Sequence, residues 1–262
     1  MRIGHPTRSV SVLVAAPFAL VGLLCNAFDA RAEGPVGADA AAVVPGSISV
    51  GTPMEGSLRS GSALPRKGQG FAVAKVTVER RARFGVAELV SLIEDVAAKV
   101  MRRQDGPPLA VADLSLRKGG DMGHHGSHEN GRDVDLIFYA RDRAGKRVFN
   151  DEFVPYDVNG HSTEPPLAYQ FDTERNWALV EALITSKKAD VQWIFVSERI
   201  AKLLLDYAAQ HGARPWVTAR ARQILNQPGK KAHVDHFHVR ILCPTEDLPA
   251  CRDVGPRWVR SR

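Results

Sequence analysis

The chain has 262 residues, 44% of them apolar and 24% charged, and a formal net charge of +6. That length supports one sizeable domain or two small ones, and the composition excludes a wholly disordered chain. No apolar run beyond the N-terminus is long enough for an ordinary transmembrane helix. The mild basic balance suits an anionic polymer, but no compact basic-aromatic module appears, so no nucleic-acid partner is expected.

The N-terminus has the layout of a secretory leader. Arg2, His5 and Arg8 precede an almost unbroken apolar stretch from Val10 to Leu24, and Ala30-Arg31-Ala32 offers a small-x-small cleavage site. Residues 1–32 are therefore expected to leave as a signal peptide, with no stable membrane insertion afterwards. Leu24 is too bulky for the residue before a lipidated Cys25. Cleavage removes Cys25 and leaves Cys243 and Cys251, an even pair expected to form a disulfide in an oxidising compartment.

Residues 33–70 are rich in Gly, Ala, Ser, Pro and Val and show little helical periodicity. They read as an extended, partly ordered lead-in with room for a short hairpin. Residues 71–262 read as the functional domain. The alternation from Phe71 to Val78 predicts a half-buried strand. After Gly85, the residues Leu89, Leu92, Ile93, Val96 and Val100 recur at helical steps, and Asp105-Gly106-Pro107-Pro108 ends that helix. A short strand is expected at Leu109–Leu114, and Gly119-Gly120 breaks the chain before a His-rich loop. Further strands are expected at 134–139, 191–196 and 236–242, helices at 176–185, 199–209 and 219–225, and a loop at 156–166. Without regular βαβ alternation, the expected class is α+β, a small, mainly antiparallel sheet flanked by helices.

Six of the nine histidines lie in two short segments, residues 124–128 and 233–238. The first runs on through Gly131 to Asp133 and Asp135, and the second reads His233-Val-Asp-His236-Phe-His238. On a strand, His236 and His238 share one face while Phe237 and Val239 point to the other. Asp133 and Asp135 likewise share a face. Gly131 permits a sharp turn before them. Pairing the two strands would bring His128, Asp135 and His238 together as two imidazoles and a carboxylate with an open fourth position, the donor set of catalytic zinc. Taken alone, an HxH pair is often polar surface, and Asp-x-Asp can cap a turn or bind a hard cation such as calcium. Their joint occurrence points to a transition-metal site. Asp133 suits either a turn cap or a carboxylate that orients a ligand imidazole. Ser127 reads as a loop hydroxyl rather than a nucleophile. Trp177 and Trp193 read as core.

The pattern resembles the penicillin-insensitive murein endopeptidases, within a wider group of metallopeptidases that includes D-Ala-D-Ala carboxypeptidases, lysostaphin-type enzymes and hedgehog-like domains. The wider group shares His-x6-Asp followed by His-x-His, matched here by His128 to Asp135 and by His236-Phe237-His238. The narrower family adds a histidine three residues before each element, matched by His125 and His233. Arg83-Phe84-Gly85, Asn176-Trp177-Ala178-Leu179-Val180 and Cys243-Pro244 also fit, so the resemblance covers roughly residues 56–251. The stretch Gln227-Pro228-Gly229-Lys230-Lys231-Ala232 departs from it by being lysine-rich.

The resemblance implies a periplasmic enzyme that uses one zinc ion to cut D-alanyl–meso-diaminopimelate cross-links in peptidoglycan. His128, Asp135 and His238 would be metal ligands and His236 the acid/base. His125 and His233 would line the site and orient substrate or water. No serine nucleophile takes part, which implies insensitivity to penicillin. Two alternatives share the fold: a D,D-carboxypeptidase or dipeptidase, and a non-catalytic zinc-stabilised binding module. A metal nuclease fits less well, because no run of arginines near the motif would grip phosphate.

Overall fold

A computed structural model of the chain describes residues 46–164, 168–229 and 233–257. The expected leader, the lead-in up to residue 45, part of the loop at 156–166 and the lysines before His233 lie outside these residues.

The described residues begin with an antiparallel hairpin of β1 (Ile48–Thr52) and β2 (Glu55–Arg59). Next come β3 (Ser62–Ala63), β4 (Lys67–Gly68), β5 (Phe71–Val73) and α1 (Lys75–Arg80), then β6 (Phe84–Gly85), α2 (Ala87–Arg103), β7 (Leu109–Val111) and β8 (Asp133–Ile137). The short strands β9 (Ala140–Arg141), β10 (Arg147–Val148) and β11 (Gln170–Phe171) form a separate small sheet. They lead into α3 (Thr173–Thr185), β12 (Val191–Phe195), α4 (Glu198–Gln210), α5 (Pro215–Ile224), β13 (Leu225–Asn226) and β14 (His236–Ile241).

The main sheet has seven strands in the order β13-β12-β14-β8-β7-β5-β4. Its pairings are antiparallel except β12 with β13 and β5 with β7. The fold is α+β as expected, although the sheet is larger than a small antiparallel one and carries parallel pairs on its flanks.

The strand expected at Leu109–Leu114 spans only Leu109–Val111, and the one expected from Phe71 to Val78 is cut shorter still. The alternation from Phe71 stops at Val73, and residues 75–80 are helical. The reason is burial at helical spacing: Ala74 and Thr77, three apart, are both fully buried. Arg81, in the left-handed region at φ +58°, closes the helix.

The sheet's core face is covered by helices. Leu89, Leu92, Ile93, Val96 and Val100 of α2 are buried in one cluster with Leu179, Val180 and Leu183 of α3 and Ile200 and Leu204 of α4. Each such side chain contributes roughly 1.5–3 kcal/mol by leaving water. Trp177 joins this cluster. Phe237, Val239 and Ile241 of β14 and Val134 and Leu136 of β8 enter it from the sheet. Strand alternation then sends their neighbours to the opposite face, where the polar site lies.

Behind β14, Cys243 and Cys251 form a disulfide. The loop it closes is tied to the hairpin: the Ser49 amide donates to Asp247 Oδ2 at 2.7 Å, and Gly51 bridges to Cys251.

Candidate metal centre

Strand register builds the centre. β14 and β8 pair so that His238 stands opposite Asp135 and Arg240 opposite Asp133. Paired residues share a face, so two imidazole/guanidinium positions meet two carboxylates. Arg240 answers Asp133 with a bidentate pair, Nε to Oδ1 and Nη2 to Oδ2, both at 2.7 Å.

The loop of residues 124–128 brings the third side. His128 is fully buried and has a left-handed backbone, φ +75°. A non-glycine residue rarely sits there, and such strain concentrates at functional positions. Two bonds hold it: the His128 amide donates to Asp133 Oδ2 at 3.3 Å, and Nδ1 donates to the Leu114 carbonyl at 2.7 Å. With Nδ1 committed as donor, Nε2 carries the lone pair. Gly131, at φ +76°, makes the turn between this loop and β8.

Asp135 Oδ1 is the point of convergence. His128 Nε2 lies 3.3 Å from it, His236 Nε2 3.4 Å and His238 Nδ1 3.6 Å. His125 Nδ1 lies 3.9 Å from Asp135 Oδ2. Both Asp135 oxygens and His128 Nε2 are buried without a hydrogen-bond partner in the described structure. Burying such atoms unpaired is costly, and a cation among them would satisfy them together. Ligand-bearing atoms of His125, His128 and Asp135 lie within 4.8 Å of one another, as do those of His128, Asp133 and His238. The donor set fits a metal ion. Mixed nitrogen and oxygen donors suit a borderline cation such as zinc better than calcium.

His238 Nε2 lies 3.2 Å from Asp133 Oδ2, leaving Nδ1 turned toward Asp135. Asp133 therefore lies beside His238 without hydrogen-bond geometry to its Nε2, and it accepts the His128 amide as a turn cap would. His236 is steered differently: Nδ1 meets Asp235 Oδ1 at 2.6 Å, and Phe153 packs edge-on against its ring. His233 sits 5.0 Å from His236 and 5.6 Å from His238, ring to ring.

The electrostatics follow from burial and these neighbours. Burial would raise both carboxyls, but Arg240 and His238 hold Asp133, and His128 and His236 hold Asp135, well below the usual range. Burial would lower His236, yet Asp135 and Asp235 outweigh it and push it up to about 10. His233 is drawn down to about 4 by burial and by the charges of His236 and His238.

Asp135, His125, His233, His236, His238 and Arg240 border an open cleft of about 770 Å³, also lined by His124, Ser127, Phe195 and Arg80, with His128 and Asp133 buried beneath it. The six expected site residues, His125, His128, Asp135, His233, His236 and His238, are thus gathered in one place. Asp113 was not legible in the motifs. It is fully buried just beyond β7 and receives His125 Nε2 at 2.9 Å and His124 Nε2 at 3.3 Å. A lone carboxylate twelve residues before its imidazole partner carries no spacing signal. Asp235 was visible inside the second cluster, but only the side-chain geometry shows its bond to His236.

Fold and site together define a class: an α+β protein whose cleft carries a His/Asp cluster able to hold a metal ion. The family profile described as penicillin-insensitive murein endopeptidase matches residues 49–257, and the chain belongs to that family. Curated relatives bearing that description include proteins of Haemophilus influenzae and Yersinia pestis. The first is 26% identical over 79% of this chain and 67% of its own length, the second 28% over 76% and 68%. A Salmonella heidelberg relative is 26% identical over 80% of this chain and 72% of its own.

Proposed function

We propose that the protein is a zinc-dependent murein endopeptidase that hydrolyses D-alanyl–meso-diaminopimelate cross-links of peptidoglycan. The observation that carries this reading is the convergence of three imidazoles on Asp135, with buried donor atoms left unpaired, at the base of an open cleft. Family membership supports the substrate class.

His128 through Nε2, Asp135, and His238 through Nδ1 would hold one zinc ion. Bound zinc lowers the pKa of a coordinated water and polarises the scissile carbonyl. The chain's residues supply orientation and proton movement. Leu114 fixes the His128 tautomer, and Asp133 lies beside His238. Asp235 anchors Nδ1 of His236, so Nε2 faces the reacting centre and can take up and return the proton. His236 would hold its proton less tightly if Asp135 also served a cation. His125 and His233 line the cleft and would orient the substrate or water.

No serine nucleophile enters this scheme. Penicillin works by acylating one, so it should leave the activity unchanged. The expected leader of residues 1–32 would deliver the protein to the periplasm, where cross-linked murein lies. Among the described residues no helix is long and apolar enough to cross a membrane.

The test is incubation of the purified protein with cross-linked muropeptide dimers and, separately, with monomers, followed by mass analysis. The reading predicts that dimers fall to monomers at the same rate with and without penicillin. Release of terminal D-alanine from monomers alone would make it a carboxypeptidase. Zinc and murein binding without any cleavage would make it a binding module.

A further inference from the structure

The imidazoles of the site form a row. Ring centroids are 4.4 Å apart from His124 to His125, 4.3 Å from His125 to His128 and 4.5 Å from His128 to His238. Each end of the row meets a fully buried carboxylate backed by an arginine. At one end Asp133, paired with Arg240, lies beside His238. At the other end Asp113 occupies the corresponding place beside His125 and His124.

Asp113 is tightly fixed. Its Oδ1 accepts the Thr77 hydroxyl at 2.7 Å, and its Oδ2 accepts Arg80 Nη1 at 2.7 Å as well as the two histidines. Its own carbonyl accepts the Asp135 amide at 2.9 Å, which ties it to the strand bearing the point of convergence. An ionised carboxylate paired with arginine only accepts hydrogen bonds, so the proton between Asp113 and His125 sits on Nε2. The remaining nitrogen, Nδ1, is the one directed at Asp135, 3.9 Å away. That is too far for a hydrogen bond, and in the neutral imidazole protonated at Nε2 the lone pair lies on Nδ1, open to a group in the cleft.

We propose that Asp113 is a positioning residue for the reaction, holding His125 by Nε2 so that the proton-free Nδ1 faces the metal centre. The assignment rests on the peptidase reading above. His125 then acts as a fixed acceptor for a proton of substrate or water, and Asp113 acts only through it. Donor atoms of Asp113, His124 and His125 also cluster within 4.8 Å. A second cation there would have to approach the oxygen that Arg80 already holds, so orientation is the role the charges favour.

Two measurements test this on the zinc-loaded full-length protein. Long-range ¹H–¹⁵N correlation spectra, with His125 assigned by comparison with His125→Ala, should show the Nε2–H form. A proton on Nδ1 would overturn the proposal, and this result needs no Asp113 variant to fold. The second is a double-mutant cycle on cleavage of cross-linked muropeptide dimers. Asp113→Asn should lower kcat roughly 10- to 100-fold, the usual cost of losing an orienting partner. KM should change less, and zinc content should not change. In a His125→Ala background the same substitution should cost nothing further. A wild-type kcat in Asp113→Asn, an undiminished loss in the His125→Ala background, or a fall in zinc content would each overturn it. If the wild-type protein cleaves no muropeptide, the peptidase reading fails, while the spectra still decide how Asp113 places His125.

Discussion

His238 and Asp135 stand directly opposite each other on neighbouring antiparallel strands, and that pairing sets an imidazole nitrogen 3.6 Å from a carboxylate oxygen. The relationship depends on register. A slip of one residue along β14 would send His238 into the core and bring Phe237 or Val239 to the site. The buried Phe237 and Val239 on one face and the Arg240–Asp133 pair on the other make such a slip costly.

The turn that delivers β8 should tolerate little. Gly131 adopts φ +76°, and a Cβ there would lie 2.8 Å from Leu58 Cδ1 and 3.2 Å from the Gly85 Cα. Gly131→Ala should therefore destabilise the protein by about 1–2 kcal/mol from the backbone conformation alone, with the close contacts adding to it. Denaturant unfolding of the variant checks this. An unchanged midpoint would show that the turn relaxes without cost.

Asp133 should matter to folding as well as to His238. Asp133→Asn leaves Arg240, which is buried, without its counter-charge, a change that typically costs about 3–5 kcal/mol at neutral pH. The sign of the pH dependence follows from the depressed carboxyl. A lowered folded-state pKa contributes stability fully above the unfolded value of about 4, and loses it as pH falls toward the folded one. The wild-type advantage over Asp133→Asn should therefore narrow below about pH 4. Urea unfolding of both chelator-treated proteins across that range would show it, and a gap independent of pH would contradict it.

The disulfide should act on stability more than on chemistry. Cys243–Cys251 closes a short loop that packs on the β1–β2 hairpin, away from the imidazole row. Cross-linking so short a loop is worth about 2–3 kcal/mol in the chain-entropy model. Cys243→Ser should lower the melting temperature while kcat at moderate temperature stays near the wild-type value. Free-thiol labelling of both cysteines in the native exported protein would contradict the pairing.

Much of this site could be read from the sequence because strand alternation and short spacings encode it. His236-Phe237-His238 and Asp133-Val134-Asp135 each show which side chains share a face, and the apolar residues between them show which face is core. The helix from Ala87 to Arg103 was equally plain from its five apolar positions. Asp113 and Arg240 were not legible as partners, since their contacts join residues far apart in sequence through a fold that no local pattern states. The helix at residues 75–80 is hidden in the sequence because two valines two apart, Val76 and Val78, fit a strand over so short a span. Only the burial of Ala74 and Thr77 separates the two periods.

The central claim is that His238 holds the metal while His236 moves the proton, and zinc content measured beside muropeptide cleavage tests it most directly. On the proposed ligand set, His238→Ala would remove one of three protein bonds to the ion and should lose both zinc and activity. His236→Ala leaves the ligands in place and should keep near-stoichiometric zinc while activity falls by about 10²–10⁴, the usual worth of a general acid–base group. A zinc-free His236→Ala beside a zinc-loaded His238→Ala would reverse the two roles. Full activity in both variants would contradict the metallopeptidase account altogether.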